Sequence, residues 1–435
     1  MIYTKLRHSG GIIIKKLLFV VAFAILISSA GCGSVTDSTA NTTAPQRVVN
    51  LSIILDTYGR YKDQLDLYFA QFAAKELSEK NIKVTFNTEY PPDSNLLKTR
   101  LASGDKLDIY NLHAILDVQD FKKGGYLPDL TNAAFVPKLI PSIRQIVTID
   151  NKVFGVPMES YTWSYLYNKD IFAKYNLTPP KTITEMKQVI KVLEHNDITP
   201  FVLPYNAADY LEWILQMGFE PLCVSTTPDW FDRMNAGNAS LKELQNKGMF
   251  DIVDLVNTNG NKDALSVDND QGLSRFAQGE GAMIVTGPWY ASDILQYNST
   301  FNLGLAALPV NDDSNATRVL LTVATIITYN PKTQNKDVCI DFLNYLLDDT
   351  DSSQLFDALK LNQVTTTQNV NLYPWTKEGL DYVNKSLYYI NGYIPQAVHD
   401  QMGKDGQLYF MGKISQKQYI EDIDATWKKV VASSK

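Results

Sequence analysis

The sequence predicts the α/β fold class, on three observations. The chain has 435 residues, 45% of them hydrophobic, which is enough for two domains with a core each. Residues 48–112 alternate short apolar runs with stretches of helical periodicity, the pattern of a parallel sheet. Residues 276–293 pass from helical spacing to a short strand and a forced turn ending in Trp289. Ligands of open α/β sheets collect beyond the strand ends, so Trp289 is either a binding platform or the lid of a core.

Taken in order, the chain opens with Lys5, Arg7, Lys15 and Lys16, then an apolar run from Leu17 to Ile27, then Ser28-Ser29-Ala30-Gly31-Cys32. This reads as a secretory signal over residues 1–31. The run is short against the roughly 20 residues that span a bilayer, although extending it through Ala30 keeps an uncleaved anchor open. Small residues before Cys32 resemble the lipobox of bacterial lipoproteins, with Ser29 where Leu is usual. Cys32 is then the lipidated membrane anchor, and residues 32–46, with almost no large apolar side chain, form a flexible tether. Loss of the signal leaves 36 basic against 47 acidic residues, which argues against a nucleic-acid partner. Cys223 and Cys339 are too few for a disulfide scaffold and read as separate buried thiols, and the scattered histidines have no metal-ligand spacing.

Val48 to Leu55 reads as a strand, and Leu65, Tyr68, Phe69, Phe72, Ala73 and Leu77 as one helix face. A strand at Val84 to Asn87, a helix through Leu96 and Leu101, and a strand from Asp108 to Leu112 complete βαβαβ, with right-handed crossovers. Tyr161, Trp163, Tyr165 and Tyr167 alternate, which predicts a strand with one aromatic face after the Gly155-Val156-Pro157 corner. Thr182 and Glu185 form a capping box for a helix burying Met186, Val189, Ile190 and Leu193. Residues 226–270 read as two surface helices in polar scaffold. Further strands follow at 301–309 and 318–329, then a helix at 337–347, and a second capping box at Ser415 and Gln418 starts the last helix.

Five segments in this order carry a resemblance. They are Leu101-Ala-Ser-Gly-Asp-Lys-Leu-Asp-Ile109, Asn151 to Pro157, Tyr167-Asn-Lys-Asp170 with Pro180 to Glu185, Phe276 to Trp289, and Met411 to Tyr419. Together they are similar to the extracellular solute-binding proteins of ABC importers, family 1, which includes maltose- and oligosaccharide-binding proteins. Leu107 and Ile183 stand where that family usually has Pro and Trp. The resemblance implies a periplasmic-binding-protein-like type II fold of two α/β lobes joined by a hinge, with the ligand cleft between them. Residues 47–156 and 310–348 would form lobe 1, and 157–309 and 349–435 lobe 2. Hinges are expected near Gly155–Met158 and Leu305–Pro309, with a third crossing just after residue 348.

A sugar offers an apolar face and a rim of hydroxyls, so its site needs flat aromatics and carboxylates or amides. The stacking candidate is Trp289, whose turn commonly carries a binding Trp in that family, and Glu159 beside the hinge is the acceptor. Tyr161 and Trp163 line either the cleft or a core. Tyr58, Asn111 and His113 follow strand ends, Tyr205 and Trp213 sit near a helix start, and Trp375 follows a polar loop; each is a further candidate. The expected protein is a monomeric, non-enzymatic lipoprotein on the outer face of a bacterial cell membrane. It takes no cofactor, captures a carbohydrate and delivers it to an ABC permease. The chain has no G-x-x-x-x-G-K-[ST] loop, so ATP hydrolysis would belong to another subunit. The alternatives are the same fold taking a polyamine, metal chelate or peptide, or an exported glycoside hydrolase with two opposed carboxylates.

Overall fold

The computed structural model describes residues 45–433 except 57 and 92–94; the signal, Cys32 and the tether up to residue 44 lie outside the described residues. Two hydrophobic cores define two α/β lobes. In the first lobe, strand Arg47–Ile54 runs parallel to both Ile82–Glu89 and Ile109–His113, as the βαβαβ pattern predicts. Helix Lys62–Lys80 buries Leu65, Tyr68, Phe69 and Phe72. The expected Leu77 is 44% exposed, and Glu76 takes the buried place, its carboxylate 3.0 Å from Lys80 Nζ one turn on. Strand Val319–Tyr329 extends this sheet antiparallel to Ile109–His113, and strand Val156–Trp163 pairs with it in turn.

The second lobe is built on a four-stranded sheet in the order Leu303–Ala306, Tyr165–Asn168, Gly281–Ile284, Thr199–Phe201. Thr182 caps helix Ile183–His195, its Oγ1 accepting from Glu185 N at 3.1 Å. Glu185 reaches back to Lys181 N at 2.6 Å, so the expected box closes one residue early. Residues 226–270 correct the surface reading. Helices Trp230–Asn235, Lys242–Gln245 and Met249–Thr258 bury Trp230, Leu244 and Ile252 completely. Trp230 meets Trp427 of the last helix, Gln416–Ser433, edge-on at 5.7 Å. Gly237 and Gly248, both at positive φ, break the run into short helices, so no single apolar period is long enough to read.

The alternating aromatics at Tyr161 to Tyr167 belong to two strands, Val156–Trp163 in the first sheet and Tyr165–Asn168 in the second. They part at the fully buried Ser164, whose hydroxyl accepts from Leu308 N at 2.9 Å. Core membership locates the crossings. Val156 and Met158 belong to the first core and Trp163 to the second, Leu320 to the second and Leu321 to the first, and Val370 to the first and Trp375 to the second. The joint therefore lies within paired strands, with Trp163 opposite Leu320 and Thr162 opposite Leu321, beyond the expected Gly155–Met158 and Leu305–Pro309. Leu355 to Val370, expected in the second lobe, pack in the first. Gly155 has a packing reason instead, since a Cβ there would stand 2.9 Å from Ile327 O.

Candidate ligand-binding site

A cavity of about 430 Å³ lies between the two cores. Its aromatic wall follows from one turn. Strand Gly281–Ile284 ends, Gly287 bends the chain, and the 3-10 turn Pro288–Tyr290 carries Trp289. A Cβ on Gly287 would stand 1.9 Å from the indole Cζ3, so only glycine lets this ring fold back over the turn. The Trp289 ring meets Trp163 at 5.2 Å and Trp213 at 5.4 Å, and those two meet each other at 6.0 Å, with interplanar angles of 70–76°. Tyr161 stands 5.9 Å from Trp289. Edge-to-face contacts of this kind are favourable and hold each ring against rotation.

Glu159 projects where strand Val319–Tyr329 bulges between Val323 and Ile326, leaving Ala324 on the cavity wall. Tyr161, two residues on and so on the same strand face, donates its hydroxyl to Glu159 Oε2 at 2.7 Å. His113 ends strand Ile109–His113 and also lines the cavity. Its Nδ1 accepts from Ile115 N at 3.3 Å and Leu116 N at 3.2 Å. The protein packed around it, and then the nearby His399, hold its pKa below the ordinary histidine value, although the ring remains open to cavity solvent.

Six of the expected residues thus share one cavity: Trp289, Glu159, Tyr161, Trp163, Trp213 and His113. The other four do not line it. Tyr58 is 1% exposed; burial first, then the charge of Glu159, push its hydroxyl pKa far up. Asn111 is turned inward, its Nδ2 on Asp56 Oδ1 at 2.6 Å, tying the first strand's end to the third. Tyr205 is fully buried, with its hydroxyl on Asn257 Oδ1 at 2.6 Å. Trp375 stacks on Tyr373 at 4.7 Å and 9°, in a small separate pocket that also touches Tyr161.

Helix Ala208–Thr226 supplies a wall of which sequence reasoning named only Trp213. Asp209, Glu212, Trp213 and Gln216 lie at i, i+3, i+4 and i+7, one stripe facing the cavity. The signal was present as polar residues at helical spacing on an otherwise apolar helix. Glu220, one turn beyond Gln216, is 1% exposed and accepts from Gln216 Nε2 at 3.1 Å; burial pushes its pKa up to about 8. Helix Gln396–Phe410 adds Gln396 and His399, whose Nδ1 lies 2.5 Å from Glu212 Oε1. Nothing in the sequence marks His399. The lining holds Glu159, Asp209 and Glu212 but no lysine or arginine. Among the described residues no group of His, Cys, Asp and Glu is placed to hold a metal ion, and no helix is long and apolar enough to cross a membrane. Cys223 and Cys339 are free and buried in different cores.

Residues 62–351 match the family described as bacterial extracellular solute-binding protein. The chain belongs to this family. Similar members are the multiple sugar-binding protein of Streptococcus mutans, 24% identical over 74% of this chain and 78% of that one, and the melibiose/raffinose/stachyose-binding protein MelE of Bacillus subtilis, 21% identical over 88% and 89%. Among solved structures, apo RafE from Streptococcus pneumoniae covers 89% of this solute-binding protein and 99% of its own chain, at 17% identity and a TM-score of 0.74. RafE in complex with raffinose matches with a TM-score of 0.69, at 17% identity over 88% and 99% of the two chains. These likenesses confirm the two-lobed fold.

Proposed function

We propose that this solute-binding protein is the substrate-binding lipoprotein of an ABC transporter, which captures a carbohydrate, an oligosaccharide by the size of the cleft, and delivers it to a membrane permease. The observation that carries the reading is the cluster of Trp163, Trp213 and Trp289 on a cavity rimmed by carboxylates and amides, the combination a sugar ring needs. The sugar-binding names of its relatives support the ligand class. Ligand contacts made only in the closed form would drive closure and report occupancy to the permease. Cys32 holds the protein to the outer face of the cell membrane as a monomer, and no chemistry is done on the ligand.

A second reading, a cationic solute such as a polyamine, is favoured by one observation: three carboxylates line the cavity without a lysine or arginine. Thermal-shift measurements with melibiose, raffinose, stachyose, maltotriose and spermidine separate the two, because a ligand that binds only the folded state raises its melting temperature. A shift by a sugar that is recovered intact is expected. A shift by spermidine alone overturns the carbohydrate reading, and released monosaccharide overturns the non-enzymatic one.

A further inference from the structure

The two histidines in the cavity come from opposite lobes, and their ring nitrogens are engaged in opposite ways. His113 ends a first-lobe strand, and its Nδ1 accepts two backbone N–H groups, from Ile115 at 3.3 Å and Leu116 at 3.2 Å. An acceptor nitrogen carries no proton, so in the neutral ring the proton sits on Nε2. His399 comes from the second-lobe helix Gln396–Phe410, and its Nδ1 faces Glu212 Oε1 at 2.5 Å. A carboxylate only accepts, so in the neutral ring the proton sits on Nδ1 and Nε2 carries the lone pair. Both side chains line the same cavity, and each ring keeps one nitrogen, Nε2, outside these contacts.

We infer that His113 and His399 form a matched donor and acceptor pair across the cleft, which selects a ligand hydroxyl, with Glu212 as the positioning residue that fixes the His399 tautomer. A hydroxyl both donates and accepts. One hydroxyl, or two neighbours on one ring, accepts from His113 Nε2–H and donates to His399 Nε2, which ties the lobes together through the ligand. An ammonium group has no acceptor, so it leaves the His113 N–H without a partner in the closed cleft, and such a loss is expensive. The pair thus turns an acidic cavity towards polyols. Burial first, then the nearby His399, lower the His113 pKa, which agrees with a neutral ring there.

This inference rests on the carbohydrate reading for its ligand, but the tautomers are measurable without one. Two-bond proton–nitrogen correlation spectra of the protein labelled with 15N-histidine distinguish the two neutral forms. His113→Gln and His399→Gln variants assign the signals. At pH 7.5 the expected result is the Nε2–H form for His113, the Nδ1–H form for His399, and a move of His399 towards Nε2–H in Glu212→Leu. The same tautomer at both sites, or a charged His399 ring, overturns the inference whatever the ligand. In titrations with the sugar that shifts the melting temperature, His399→Gln and His113→Phe are each expected to weaken binding about tenfold, one hydrogen bond's worth. Sugar binding that neither variant weakens overturns the pairing while leaving the carbohydrate reading intact. Spermidine binding in place of every sugar overturns both.

Discussion

Gly287 and Trp289 make one device. The glycine carries no side chain because the indole occupies the space where a Cβ would be, at 1.9 Å. Gly287→Ala is therefore expected to push the ring out of its contacts with Trp163 and Trp213, weakening sugar binding roughly tenfold while removing no group from the cavity lining. Calorimetric titration of the variant checks this. Glu220 gives a prediction of another kind. Its pKa rises from 4.5 to about 8 because burial disfavours the charged form. Between those values the unfolded chain has released a proton that the folded chain keeps, so stability falls as pH rises through that window. Glu220→Gln is expected to flatten this dependence and to stabilise the fold at pH 8 by on the order of 2 kcal/mol, read from urea melts at pH 5 and pH 8. The Gly-Pro-Trp turn is legible because backbone chemistry is local. The burial of Glu220 is not, since a single acid on a helix looks the same facing water or a core.

At the scale of elements, most strands and helices follow from period and caps. Strands Arg47–Ile54, Ile82–Glu89 and Ile109–His113 stand within two residues of their expected positions, because each is a short apolar run between clear breaks. Asp268, exposed to solvent, caps helix Asn269–Ala277. Its Oδ1 accepts from Gln271 N at 2.8 Å, while Gln271 Oε1 accepts from Asp268 N at 3.2 Å. Asp268→Ala is expected to cost about 1 kcal/mol in denaturant melts and to leave ligand affinity unchanged, since the helix only leads into the strand that carries Trp289. The crossings were not legible. Glycine and proline mark where a chain bends, but here the lobes are joined inside the paired strands Val156–Trp163 and Val319–Tyr329, whose residues read as ordinary strand. The stripe Asp209, Glu212, Trp213, Gln216 was legible in spacing yet ambiguous in meaning, because a partly polar helix face turns to solvent more often than to a cleft.

For the whole molecule, the two cores matter more than either sheet. Cys223 lies in one and Cys339 in the other, and burial raises both thiol pKa values, that of Cys339 to about 12. In a Cys32→Ser chain, neither is expected to react with a disulfide reagent until denaturant is added. Prompt reaction in the native protein would contradict the division into two closed cores. The claim that matters most is that the space between these cores takes a sugar onto the tryptophan cluster. Calorimetric titration of melibiose, raffinose, stachyose and maltotriose into the wild-type chain and into Trp289→Ala tests it most directly. The expected result is saturable one-to-one binding of an oligosaccharide that is recovered intact, lost or weakened at least about tenfold in the variant. Equal affinity in both proteins, or no binding of any sugar while spermidine saturates the wild-type site, would contradict it.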